Sequence, residues 1–334
     1  MRGKLRIAVT VGALLLVTLA ARLVGTPKAS AEQNASLEKS CDYACLTGFV
    51  DQYLQALIAH DPTRIPVAEH VKFTENTIPL KLGDALWGTM RGLGTYKLYF
   101  ADPHDGEVGF EGSIRENGTP AILLLRMRII DRKIAEIETL VHRNVDDTTA
   151  LEKRGQPSAP WLQPLEASQK MPRAEMIQTA NRYFEGILHS SGDSVPFDPQ
   201  CNRVLDGFQD TNNPTTKGWF DKESFRPDAM SIRENMNTGV WIYIHSIDPR
   251  RFMVVDEKMG IVLAMVMYNH PGNIKSAEVR GVGTVPMPPV ALHPSTLAAG
   301  EFFKLQGGKI REVEGVTVGL PYGSRMGWPE PPTK

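Results

Sequence analysis

Three side chains in the second half of the chain, Asp206, His245 and His270, are of the types that move protons near neutral pH. An imidazole titrates between pH 5 and 8 in ordinary surroundings, and a carboxyl raised by apolar burial enters the same range. Together they would supply the acid and the base of a cofactor-independent reaction. Amphipathic aromatics stand beside them. In Val240-Trp-Ile-Tyr-Ile-His-Ser-Ile, a strand's alternation puts Trp241, Tyr243 and His245 on one face and Val240, Ile242 and Ile244 on the other. Val266, Tyr268 and His270 share a face of the next apolar run, which Pro271 terminates. Such faces read as a ligand wall, with Trp241, Tyr243 and Tyr268 as substrate-binding positions. Each residue has a plainer reading too: rim or structural histidines, and a turn for Asp206, which precedes Gly207.

The first half offers a smaller set. Ile134, Glu136, Glu138, Leu140 and His142 fall on one face of a strand, so Glu138 and His142 form an acid–base pair if that face looks inward and are solvated if it does not. Tyr322 and Trp328, near the end, would cover a pocket mouth or seal the second core.

Familiar reaction signatures are absent. The chain holds no Walker loop, G-x-S-x-G, H-E-x-x-H, C-x-x-C or full G-x-G-x-x-G. No spacing demands a metal or a cofactor, and none is expected. Three cysteines are too few for a disulfide framework, but Cys41 and Cys45 are spaced to meet on adjacent helical turns in an oxidising compartment. Cys201 reads as a small buried hydrophobe.

The elements that position these groups occur twice. Tyr53-Leu-Gln-Ala-Leu-Ile-Ala-His-Asp-Pro-Thr-Arg-Ile-Pro aligns without gaps on the segment from Tyr183 to Pro196, at an offset of 130. Ala101-Asp-Pro-His-Asp-Gly-Glu-Val matches the run from Val255 at 154, and Lys133-Ile-Ala-Glu-Ile-Glu matches the run from Lys309 at 176. Constant order with growing offset marks a tandem duplication whose second copy carries two insertions of about 20–25 residues, expected as loops. Each copy opens with a helix. Leu46, Phe49, Val50, Tyr53, Leu54 and Leu57 make one apolar stripe, and Met176, Ile177, Ala180, Tyr183, Phe184 and Ile187 the other. Strands follow, with Asn117-Gly118 as a hairpin turn. Glu75-Asn76 falls opposite Leu205-Asp206, which shifts the carboxylate by one place and would reverse its strand face. The units are therefore 41–145 and 173–330, joined by a proline-rich linker over 146–172.

One helix on a bent antiparallel sheet that closes on Lys133-Ile-x-Glu-Ile-Glu resembles the cone-shaped α+β barrel of the SnoaL-like and ketosteroid-isomerase-like superfamily. More narrowly, Val71-Lys-Phe-Thr-Glu-Asn-Thr, Leu82-Gly-Asp-Ala-Leu-Trp-Gly-Thr and Pro321-Tyr-Gly-Ser-Arg-Met-Gly-Trp are similar to a family of exported bacterial and fungal proteins without an assigned reaction. The resemblance spans roughly 41–330. It implies two tandem α+β cones, each with a pocket, and a carboxylate base at Asp206. It does not select a reaction, because the superfamily includes isomerases, dehydratases, cyclases, hydrolases and binding modules.

The first 31 residues carry Arg2, Lys4 and Arg6, an apolar run from Ile7 to Ala21, and Ala29-Ser-Ala31. This is the layout of a signal peptide cleaved after Ala31, and the run is shorter than the ~20 residues a bilayer crossing needs. The remainder holds 32 Lys and Arg against 38 Asp and Glu, so no broad basic field attracts nucleic acid. A periplasmic or secreted protein is expected, without stable membrane insertion once the signal is removed. Its expected function is a lyase, isomerase or hydrolase acting on a small organic or sugar-like molecule. The alternative is a non-catalytic exported ligand-binding or assembly module.

Overall fold

The computed structural model describes residues 41–215, 220 and 225–328. The expected signal segment lies outside the described residues. The first unit opens with α1 (Tyr43–Ile58), followed by β1 (Val67–Glu75), β2 (Ile78–Leu80), β3 (Met90–Asp102), β4 (Glu107–Glu116), β5 (Thr119–Ile130) and β6 (Lys133–His142). Asp42 caps α1, its carboxylate accepting from the Cys45 amide at 2.8 Å. A Cys41–Cys45 disulfide ties the same turn. The apolar stripe of α1 is buried as its spacing requires. Asn117 and Gly118 turn β4 into β5 with φ of 49° and 86°, the left-handed pair that a two-residue hairpin needs.

After α2 (Val145–Arg154) and α3 (Arg173–Leu188), the second unit repeats the plan. Its strands are β7 (Phe197–Leu205), β8 (Phe208–Gln209), β9 (Ser246–Asp256), β10 (Ile261–His270), β13 (Ser295–Gln306) and β14 (Lys309–Pro321). The insertions carry α4 (Ile232–Asn237) and the hairpin of β11 (Ser276–Val279) with β12 (Gly283–Pro286). The fold is α+β with two six-stranded sheets, ordered β2-β1-β6-β5-β4-β3 and β8-β7-β14-β13-β10-β9.

Three expectations are corrected here. The sheets are mixed, not antiparallel: the first long strand of each unit lies parallel to the last, β1 beside β6 and β7 beside β14. Turn signals report only hairpins, so this non-local pairing left no local mark. The insertions are structured. In the first, Ser231 and Glu234 close a capping box on α4, and in the second a short hairpin forms. The linker over 146–172 begins inside a helix, because the Asn144 side chain caps α2 by accepting from the Asp146 and Asp147 amides. Leu151 and Trp161 of that segment are buried.

The two sheets pack face to face. Tyr96, Leu98 and Phe100 of β3 and Leu124 of β5 meet Leu263 and Met265 of β10 and Phe302 of β13. The Phe100 and Phe302 rings lie 5.5 Å apart. Gly300 permits this approach, since a Cβ there would stand 2.0 Å from Leu124 Cδ2. Each apolar side chain so buried contributes about 1.5–3 kcal/mol. Alternation then sends the other face of each strand toward its own helix. Leu123 and Leu125 of β5 join the α1 core, while Ala299 and Phe303 of β13 join the α3 core.

Candidate functional site

A small cavity, about 50 Å³ in volume and open to solvent on one side, lies inside the second unit. Helix α3 contributes Tyr183 and Ile187, β7 Arg203 and Leu205, β10 Tyr268 and His270, β13 Leu297 and Glu301, and β14 Thr317. The remaining wall is Trp241, Tyr243 and Ile244 from the first insertion. Tyr268 and His270 face inward by the alternation of β10.

Glu301 is the centre of the polar set. The Tyr268 hydroxyl donates to Glu301 Oε1 at 2.5 Å, while Glu301 Oε2 is buried with no hydrogen-bond partner. Burial pushes the Glu301 carboxyl up to about 7, and hydrogen bonding to Tyr268 and Tyr183 and the Arg203 charge offset only part of that push. Arg203 is itself buried and spends its guanidinium on Asp210, with N–O distances of 2.9 and 3.0 Å from Nε and 2.8 Å from Nη2. The guanidinium also lies over the Trp241 ring, 4.8 Å from its centroid. Trp241 is fixed from behind by its Nε1 donating to Asn235 Oδ1 at 2.9 Å. His270 touches the Tyr243 ring, and its Nε2 is buried without a partner. Burial pushes this imidazole down to about 4, so it is neutral at physiological pH.

The first unit provides an internal control. The strand registers place Phe73 where the second unit has Arg203, Ile114 where it has Tyr268, and Leu125 where it has Glu301. Phe73 and Arg203 face Ile137 and Val313, Ile114 and Tyr268 face Ala121 and Leu297, and Leu125 and Glu301 face Thr139 and Gly315. Only the tyrosine of the helix, Tyr53 against Tyr183, is kept. At these positions the first interior is apolar, and Tyr53 packs edge-on against Trp87 at 5.2 Å; the buried Glu75, at the counterpart of Leu205, is spent on Arg143 and the Leu86 amide.

The expected trio of Asp206, His245 and His270 is not assembled. His245 is exposed and outside the cavity lining, because residues 240–243 form a 3-10 helix and the strand begins only at Ser246. Gly239 at φ 81° and the Trp241–Asn235 bond wind the segment, and burial of Val240, Tyr243 and Ile244 suits a helical step as well as alternation suits a strand. Trp241 and Tyr243 line the cavity nonetheless. Asp206 sits in the β7–β8 turn at φ 51°, at the counterpart of Asn76 rather than on a reversed strand face. The Asp206 amide donates to Gly315 O as the Asn76 amide donates to Thr139 O, both at 2.9 Å.

Glu138 and His142 do not line a cavity of the first unit. Their face of β6 turns toward the second sheet, because the β5–β6 register shifts at Arg128–Ile129 and Ile137 and Val141 take the inner face. Glu138 is buried and accepts from Arg251 at 2.9 Å across the units. Burial raises its carboxyl, and the Arg251 and Arg126 charges work against that. His142 Nε2 meets Asp147 Oδ2 at 2.7 Å. Tyr322 is exposed and does not line the cavity, and Trp328 seals against the first unit, its Nε1 donating to Thr74 Oγ1 at 3.0 Å. Among the described residues, no three His, Cys, Asp or Glu side chains are grouped to hold a metal ion.

Arg203, Asp210, Tyr183 and Glu301 were not singled out from the sequence. Comparing the two copies column by column would have found Arg203 and Glu301, because a charge that replaces Phe73 or Leu125 in a buried column has no packing reason, whereas Tyr183 matches Tyr53 and gives no such signal. The family described as a domain of unknown function (DUF8021) matches residues 169–317. That span takes in α3, the insertions and every cavity residue, and it leaves the first unit unmatched. No curated protein and no solved structure matches the chain.

Proposed function

We propose that the second unit is a cofactor-independent acid–base enzyme whose cavity takes a small organic molecule, with Glu301 as the proton-transfer group. The observation that carries this reading is the replacement of Phe73, Ile114 and Leu125 by Arg203, Tyr268 and Glu301 at matched interior positions. Burying such groups costs stability unless each is paired, and within the cavity Glu301 Oε2 and His270 Nε2 are left without a protein partner. Glu301, poised near pH 7, takes a proton on Oε2 as base and returns it as acid, while the Tyr268 hydroxyl holds Oε1 and fixes the carboxyl plane. The neutral His270 offers a second hydrogen-bonding point, and the aromatic wall binds the apolar body. Isomerase, lyase and hydrolase steps all fit this set.

Support for the finer fold reading, two SnoaL-like cones, comes from the helix laid against each bent sheet and from the cavity in the second. Support for an exported protein comes from the residues at 1–31, from the disulfide, and from the lack among described residues of a helix long and apolar enough to cross a membrane. A second reading, a binding module without turnover, is favoured by the apolar residues at the first unit's matched positions, which leave that half without the second's polar set. The test is native mass spectrometry of the chain after incubation with a small-molecule extract, beside the Arg203→Phe/Asp210→Leu/Tyr268→Ile/Glu301→Leu variant. A bound molecule retained only by the wild type supports the site, and its chemical conversion, lost in Glu301→Gln, supports the enzyme. Equal retention by both proteins overturns the cavity as the site.

A further inference from the structure

The wall of the cavity on its β14 side is held by a group from the other unit. In the first unit, Asn76 closes the corresponding corner alone. Its Oδ1 accepts from the Val141 amide at 2.7 Å and its Nδ2 donates to the Val141 carbonyl at 3.4 Å. In the second unit the same corner has Asp206, whose two oxygens accept from the Thr317 amide and the Thr317 hydroxyl, each at 2.6 Å. A carboxylate has no hydrogen to give back, so the Thr317 carbonyl would lose the bond that Asn76 provides to Val141. His142 restores it from across the units, with Nδ1 2.7 Å from the Thr317 carbonyl and 3.4 Å from Asp206 Oδ1. Its other nitrogen meets Asp147 on α2 at 2.7 Å. With a carbonyl on one side and a carboxylate on the other, both ring nitrogens donate, and the ring is an imidazolium between two acids.

We infer that His142 is a positioning residue for the second unit's cavity, acting on the Thr317 carbonyl beside Asp206 to fix Thr317 in the wall. Thr317 and its neighbour across the corner, Leu205, both line the cavity that holds Glu301. The inference rests on that cavity being the ligand site, but the corner can be tested without it. Burial alone would lower the His142 pKa; the Asp147 hydrogen bond and the Asp206 charge outweigh it and raise it to about 9. The charged and titratable groups around it are Asp147 of α2 and Asp206 of the β7–β8 turn, with Glu111 of β4 beyond Asp206.

The experiment compares the full chain with His142→Gln, Asp206→Asn and the double variant, reading amide hydrogen exchange at Thr317 and Val141 and the affinity for indole, used as a neutral aromatic probe of the cavity. His142→Gln is expected to speed exchange at Thr317 at least tenfold while Val141 is unchanged, and to weaken indole binding several-fold. Adding Asp206→Asn is expected to restore both, because an asparagine there reproduces the Asn76 corner. In the wild type, indole affinity should fall as pH rises through about 9, a step absent from the double variant. Unchanged exchange in His142→Gln, or a double variant no better than the single, overturns the inference. If Thr317 responds as expected but the wild type binds no indole, the corner stands and the role assigned to the cavity falls.

Discussion

Leu125 and Glu301 occupy the same point of two copies of one sheet, 176 residues apart, facing Thr139 and Gly315 of the last strand. One unit kept a hydrocarbon there; the other carries an ionisable group that its surroundings hold near neutrality. That difference gives the second unit a pH dependence at this position which the first unit lacks.

Glu301→Gln should therefore separate stability from activity. The folded Glu301 pKa lies above its unfolded value, so the native state binds the extra proton between about pH 4.5 and 7. Stability from this group is full below that window and is lost as pH rises through it, by roughly 3 kcal/mol in all. The variant has no such loss. It should unfold at higher denaturant than the wild type at pH 8, match it near pH 4, and turn over no substrate. A wild type whose stability does not fall between pH 5 and 8 relative to Glu301→Gln would show that the carboxyl is not held near neutrality.

His270 gives the opposite limb. Its folded pKa, pushed down to about 4 by burial, lies below that of an unfolded histidine. The unfolded chain then binds the extra proton between about pH 6.5 and 4, so this part of the stability is present above pH 6.5 and lost as pH falls. In His270→Phe the acid limb should be shallower, measured as the urea midpoint at pH 7 and at pH 4.5. The wild-type imidazole should also show no protonation shift by NMR down to pH 5.

Local signals made much of this legible and one class of relationship hidden. The helix stripes, the Asn117-Gly118 turn and the inward face of Tyr268 and His270 are set by residues within a few positions of one another, so period and turn chemistry reveal them. The parallel pairing of β1 with β6 joins residues some 65 apart, and nothing near either strand announces it. Trp241 and Tyr243 line the cavity, but from a 3-10 turn rather than the strand that their alternation predicts. Glu301 escaped notice for a different reason. Its neighbours Phe302 and Phe303 face opposite cores, so the strand reads as a continuous apolar run in which one acid looks like an interruption.

The Arg203–Asp210 pair should behave as a unit. Arg203→Ala leaves Asp210 buried with no counter-charge, which costs about 3–5 kcal/mol, and it removes the cation above the Trp241 ring. Arg203→Met with Asp210→Leu removes both charges and should recover most of that loss. Ligand retention should not recover with it, since the cavity has then lost its fixed cation and the support beneath Trp241. The cycle of single and double variants in urea measures the coupling directly, and a coupling energy below about 0.5 kcal/mol would mean that the two side chains act independently.

Trp328 packs against both units. The ring lies 4.1 Å from Lys72 Nζ of β1 and 5.4 Å from the Arg251 guanidinium of β9, and its Nε1 donates to Thr74. Gly327 before it runs so close to the Thr77 carbonyl that a Cβ would stand 2.1 Å away, so the tail is seated against the first unit's backbone. Truncation to Trp328→Ala removes a largely buried indole and should cost about 3 kcal/mol. Trp328→Phe keeps a ring for the cations and loses only the Thr74 bond, about 1 kcal/mol. Because the ring contacts both units, the alanine change should raise hydrogen exchange on β1 and β9 together, whereas a tail that seals only the second unit would raise it on β9 alone.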